Sequence, residues 1–218
     1  MKIDAKVKEM FPDLNILTTS IENVTVNRES DDLEEFKKEF IKKIRSQYYV
    51  ETLKDIPELR SYRDFFWKIG IDPTKTRPAS EALIRRVIQG KPLPKINTLV
   101  DSYNLASMES RVPLAAFDND VISPGLVLRF AVEGEEFTGI GMKKPVPLKG
   151  NELVIKAGDE LIALYPHRDA DKSKITLSTR DVLLVVCGGP GISGETLEHA
   201  QKVAREYITR FCSGDIVQ

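Results

Sequence analysis

A chain of 218 residues with 41% hydrophobic content can bury a substantial core, and it lies in the size range of one large domain or two small ones, with one compact body expected. Its 32 basic and 33 acidic side chains cancel, which excludes a molecule whose whole surface attracts nucleic acid and leaves only local binding patches. The two cysteines, Cys187 and Cys212, cannot complete a zinc site, no signal-peptide succession opens the chain, and no apolar run is of bilayer length, so a reduced, cytoplasmic protein without metal or cofactor is expected.

Taken in chain order, residues 15–27 set Ile16, Ile21, Val24 and Val26 among threonines and suit a half-buried strand. Asp31 stands three residues before Glu34 as a capping-box-like start. Leu33, Phe36, Phe40, Ile41, Ile44 and Tyr48 then recur at helical spacing, with Lys42, Lys43 and Arg45 late in the helix where its dipole favours cations. Pro57 opens a second helix with Leu59, Tyr62, Phe66 and Ile69 on one face and Gly70 as its stop. A third, over about 78–90, turns Ala79, Ala82, Leu83, Val87 and Ile88 inward, and a fourth, over 96–108, does the same with Ile96, Leu99, Val100 and Tyr103. Beyond Val112 short apolar runs punctuated by Gly, Pro, Asn and Asp predict strands at 113–117, 127–132, 136–140, 152–157, 161–165 and 182–186. Leu197, Ala200, Val203, Ala204, Tyr207, Ile208 and Phe211 give a closing helix its apolar face. Helices that cluster first and strands that follow predict an α+β fold rather than a doubly wound sheet. No internal repeat or low-complexity linker divides the chain.

Three concentrations of residues can carry chemistry. Gly188-Gly189-Pro190-Gly191 follows a buried strand and opens a helix; it serves either as a tight connection or as a source of backbone amides for an anion. Tyr165-Pro166-His167-Arg168-Asp169 puts an imidazole, a guanidinium and a carboxylate at a strand end, where His167 can act as acid, base or donor; an exposed Arg-Asp ion pair is the alternative. The third runs from Arg77 through Glu81, Arg85 and Arg86 to Asp101, Asn104 and Ser107, whose spacing lets the last three share a helix face, either bracing loops or lining a pocket. Residues 54–95 carry ten Lys or Arg against five Asp or Glu, a local charge of +5 against −6 for the remainder, which suits solvated helix faces or a phosphate-binding patch. His199 reads as a surface residue, and no nucleophile–histidine set is recognisable.

Arg77-Pro78-Ala79-Ser80-Glu81-Ala82-Leu83, Leu93-Pro94-Lys95-Ile96-Asn97, Val100-Asp101, Asn104, Pro113-Leu114-Ala115-Ala116-Phe117-Asp118 and Gly125-Leu126-Val127-Leu128-Arg129 together resemble the B3/4 domain family. These domains form the tRNA-binding and editing module of the phenylalanyl-tRNA synthetase β subunit and also occur as stand-alone proteins. The likeness runs from about Tyr62 to Phe211. It implies N-terminal helices on a mixed β-sheet sandwich with a C-terminal helix, in a single domain over 1–218, with 1–56 as a family-variable extension and 57–213 as the core. It also implies a partner, tRNA or aminoacyl-tRNA, without DNA specificity or membrane contact, and a reaction in which water attacks an aminoacyl ester.

The chain departs from that pattern where many synthetase versions carry a histidine before Ala-Phe-Asp, since Ala115 stands there, and where they carry a glutamate in the later buried strand, at Val185. Their glycine-rich pocket segment is Tyr165 to Asp169 here, so tyrosine specificity is not inherited, and phenylalanine activation is not implied. The resemblance thus assigns His167, Arg168 and Asp169 to catalysis. Family position and the polar chemistry at strand and helix ends together give Asn104, Ser107, Tyr165, Gly188 and Gly189 to substrate binding, and Arg77, Arg85 and Arg86 to RNA phosphates, with Arg77 bracing the fold as the alternative. The expected function is trans-editing of mischarged aminoacyl-tRNA, the alternatives being a non-catalytic RNA-binding module or an amino-acid-related small-molecule binding protein.

Overall fold

The structure, a computed structural model, describes residues 1–217. Strand β1 (Lys2–Ile3) leads into helix α1 (Ala5–Met10), which Asp4 caps by accepting from the Lys6 amide at 3.0 Å. Strand β2 (Leu17–Glu22) falls inside the apolar-threonine stretch predicted as a strand. Helix α2 (Asp31–Gln47) starts with Ser30 at the N-cap and no side-chain cap bond. The capping box therefore does not form, because the Glu34 carboxylate is engaged by Lys37 at 2.7 Å and Lys95 at 2.8 Å.

Helix α3 (Pro57–Lys68) has proline in its first turn, and Gly70 follows it at φ +78° as the stop. Helix α4 (Ala79–Ile88) buries Ser80, Glu81, Ile84 and Val87. The predicted inward face is displaced, since Ala82 is exposed and a carboxylate takes the interior position. Helix α5 (Thr98–Ser110) begins after Asn97, whose side chain accepts from the Val100 amide at 2.9 Å, so Ile96 lies outside the helix and is 53% exposed.

The strands are β3 (Leu114–Asp118), β4 (Leu126–Phe130), β5 (Glu136–Phe137), β6 (Val146–Pro147), β7 (Leu153–Ala157), β8 (Glu160–Leu164), β9 (Arg168–Asp169) and β10 (Val182–Val186). Helix α6 (Gly194–Cys212) and strand β11 (Asp215–Val217) follow. One antiparallel sheet has the order β11-β2-β10-β3; a mixed sheet has the order β1-β4-β7-β8-β9, with β1 parallel to β4. Strands β5 and β6 form a separate pair.

Two apolar layers explain why β10 reads as an unbroken aliphatic run. Val182, Leu184 and Val186 pack towards the helices with Leu33, Leu99, Leu105, Leu197 and Ile208. Leu183, Val185 and Cys187 face the mixed sheet with Leu128, Ile155, Ile162 and Tyr165. The architecture is α+β, two facing sheets with helices stacked on one of them, and β2 sits between β11 and β10 in the same sheet. Among the described residues no helix is long and apolar enough to cross a membrane.

Candidate functional site

Strand β8 turns into β9 around a cis Tyr165–Pro166 bond, closed by the His167 amide donating to the Leu164 carbonyl at 2.9 Å. His167 ends the turn and Asp169 lies in β9. Both line a cavity of about 80 Å³ whose walls include Ala79, Ala115, Ile155, Tyr165 and Cys187. At about 30 Å³ per molecule it has room for two or three waters. A second hollow of about 230 Å³, lined by Ile69, Gly70, Lys149, Asn151 and Glu152, lies on the other side of Tyr165 and His167, which belong to both.

Burial sets the protonation states. The Asp169 carboxyl is pushed up to about 7 by burial. Burial, helped by the neighbouring Arg168 charge, lowers His167 to about 4, so its imidazole is neutral at physiological pH. Its Nδ1 is buried without a hydrogen-bond partner, and its ring meets Phe66 of α3 edge-on at 6.3 Å between centroids. The Cys187 thiol is held protonated by burial and then by Asp169, which leaves it a poor nucleophile. Arg168 is exposed between these two groups. Its stem lies against Gly139, where a Cβ would approach its Cδ to 2.5 Å, and its Nη1 donates to the Ile140 carbonyl at 3.4 Å.

Tyr165 ties the hairpin to the glycine turn, its hydroxyl donating to the Gly188 carbonyl. Gly188 is required by close approach rather than by φ, since a Cβ there would lie 1.9 Å from the Asn15 carbonyl oxygen. At Gly189 a Cβ would meet the Tyr62 ring at 3.1 Å, and the Gly191 amide donates to the Asp13 carboxylate at 2.8 Å. The turn is a close-packed connection, and Ser193 caps the helix behind it by accepting from the Thr196 amide at 3.1 Å. Ser107 donates to the Val112 carbonyl at 2.7 Å, and Asp101 is held by buried Lys37 and by the Ile96 amide at 3.1 Å. Neither Asn104 nor Ser107 lines the cavity, although Tyr103, beside Asn104, feels the Asp169 charge.

The arginines gather on one carboxylate. Glu81 is fully buried; Arg63 Nη1 donates to both its oxygens at 3.0 and 3.1 Å, with Arg85 Nη2 at 3.6 Å and Arg77 Nε at 3.8 Å. Three guanidiniums on one carboxylate leave a net positive cluster. Arg86 is elsewhere, its Nε donating to the Pro92 carbonyl. Arg63, Ala79 and Cys187 escape sequence reasoning because each joins the site through the tertiary fold; the i, i+4 spacing of Arg77, Glu81 and Arg85 is the one signal that marks the hub. Among the described residues no group of His, Cys, Asp and Glu is placed to hold a metal.

The B3/4 domain description matches residues 61–213. The phenylalanine–tRNA ligase β subunit of Syntrophus aciditrophicus is 34% identical over 156 residues, 65% of this chain and 18% of that protein. Its counterpart in Geobacter metallireducens is 34% identical over 108 residues, 49% of this chain and 13% of that protein, so the matches span under a fifth of these relatives' lengths. The crystal structure of an N-terminal fragment of the phenylalanyl-tRNA synthetase β subunit from Pyrococcus horikoshii shares the fold at a TM-score of 0.53 and 15% identity, covering 99% of this chain and 49% of that one. With the match extending from α3 through α6 and the architecture shared, the chain belongs to the B3/4 domain family.

Proposed function

We propose that the chain binds the aminoacylated end of a tRNA and hydrolyses the ester of mischarged aminoacyl-tRNA at the His167–Asp169 cavity. The observation that carries the reading is the meeting of His167, Asp169 and the Ala79 end of α4 at one small cavity beside the arginine cluster. Relatives named for a ligase that acts on tRNA support the partner, while the short match to them leaves amino-acid activation out of the proposal.

In this reading the Asp169 carboxylate takes a proton from a water whose oxygen attacks the ester carbonyl carbon. The bond from that carbon to the ribose oxygen then breaks, and the protonated Asp169 returns the proton to the ribose oxygen. Free amino acid and an intact tRNA hydroxyl result. Neutral His167 orients the water or the carbonyl through its unpaired nitrogen. Arg168 contributes charge from the rim, and Tyr165 fixes the hairpin.

A second reading, binding without hydrolysis, is favoured by the aliphatic side chains at Ala115 and Val185. Incubating the protein with a panel of mischarged tRNAs separates the two. Release of amino acid above the buffer rate supports the first reading. Binding without release supports the second.

A further inference from the structure

Trp67 is 56% exposed and is the chain's one tryptophan. It stands on the outer face of α3, whose inner face buries Leu59, Tyr62, Phe65 and Phe66. Arg60, Arg63 and Asp64 share its face at helical spacing, and Lys68 is next in the chain. Arg63 links this face to the Glu81 hub, where Arg77 and Arg85 also gather.

The position relative to the cavity gives these residues a direction. Phe66, one residue earlier, touches the His167 ring, and Ile69, Gly70 and Ile71, immediately after α3, line the 230 Å³ hollow walled by His167. An exposed indole that shares its helix face with Arg60 and Arg63 sets a flat aromatic surface beside positive charge. It suits an unpaired nucleotide, whose base stacks on the ring while its phosphates meet the arginines. The +5 charge of residues 54–95, in a chain that is otherwise −6, supplies the complementarity. Buried Glu81 holds the guanidinium forks in place before any ligand arrives.

We infer that Trp67, with Arg63, Arg77 and Arg85, forms a platform for the single-stranded end of an RNA at the mouth of the site. The inference rests on the tRNA reading above and adds to it a specific contact. Because Trp67 is the sole tryptophan, its fluorescence reports the contact directly.

The test titrates the protein with a short single-stranded oligoribonucleotide ending in CCA and with a blunt duplex of the same length, and measures whole-tRNA affinity separately by filter binding. Expected are saturable quenching by the single strand that weakens with salt, little quenching by the duplex, about tenfold weaker tRNA binding for Trp67→Ala, and near-normal binding for Trp67→Phe. If tRNA binds but fluorescence is unchanged and both variants bind normally, the platform is wrong and the tRNA reading stands. Equal quenching by the duplex also overturns the single-strand assignment. If neither tRNA nor oligonucleotide binds at low salt, the tRNA reading fails and the platform with it.

Discussion

Ala115 and Val185 are directly opposite one another in the β3–β10 ladder, and both face the mixed sheet that carries His167 and Asp169. The two positions expected from the sequence to depart from the synthetase pattern therefore form one cross-strand pair. A lone charged group at either position would be buried without a partner, which is strongly destabilising. Apart from the Cys187 thiol, the titratable groups bordering the cavity come instead from the facing β8–β9 hairpin.

Asp169→Asn is expected to stabilise the fold at alkaline pH. An acid whose folded value of about 7 exceeds its ordinary 3.8 binds more protons folded than unfolded, so stability falls as pH rises from about 4 through 7. The three-unit displacement corresponds to at most about 4 kcal/mol. For a residue that keeps some exposure roughly 1–3 kcal/mol is realised, a rise of a few degrees in Tm at pH 8 and little change at pH 4. Thermal melts of both proteins across that range check it; equal slopes against pH would reject it.

His167 works in the opposite direction. With its folded value near 4 and an ordinary value of 6.5, it contributes stability above pH 6.5 that is lost as pH falls towards 4. In His167→Phe, which keeps a ring beside Phe66, that part of the acid-side loss should disappear. Denaturant midpoints between pH 7 and pH 4 measure it, and an unchanged acid-side loss would contradict the assigned burial.

Removing Glu81 should damage the fold more than removing any of its arginines. Glu81→Ala leaves Arg63, Arg77 and Arg85 facing one another without the buried carboxylate between them, at a cost of about 3–5 kcal/mol. Arg77→Ala, with the longest separation and the greatest exposure of the three, should cost under about 1 kcal/mol. Urea denaturation of the two variants distinguishes them; equal losses would remove Glu81 from its role as hub.

Gly188→Ala should be far more harmful than Gly70→Ala. The added methyl at Gly188 has no space against Asn15, a backbone clash, so β10 or the segment before β2 must shift. At Gly70 the space is open and only the left-handed backbone, φ +78°, resists, at about 1–2 kcal/mol. The soluble yield and Tm of the two variants make the comparison.

The helices were legible where one apolar face repeats, as in α2, α3 and α6, and the strands where Gly, Pro and Asn bound an apolar run. The α4 face was displaced because Glu81, a residue that patterning assigns to solvent, is interior and neutralised by arginines from two elements. Two-residue strands such as β9 have no periodicity to read, so the hairpin that aims His167 and Asp169 emerged only with the fold. The Tyr165–Asp169 segment was visible as a cluster of chemistry at a strand end. Asp101 and Ser107 looked equally able to line a pocket or to brace loops, and only their partners, Lys37 and the Val112 carbonyl, identify them as braces.

The most direct measurement is the single-turnover rate of mischarged-tRNA deacylation against pH for the wild-type protein and Asp169→Asn. With Asp169 as base the wild-type rate should climb about tenfold per pH unit and level off near pH 7, while the variant, folded and still binding tRNA, stays at the buffer rate. An Asp169→Asn protein that deacylates as fast as wild type, or a wild type that binds tRNA and never exceeds buffer, would contradict hydrolysis at this cavity.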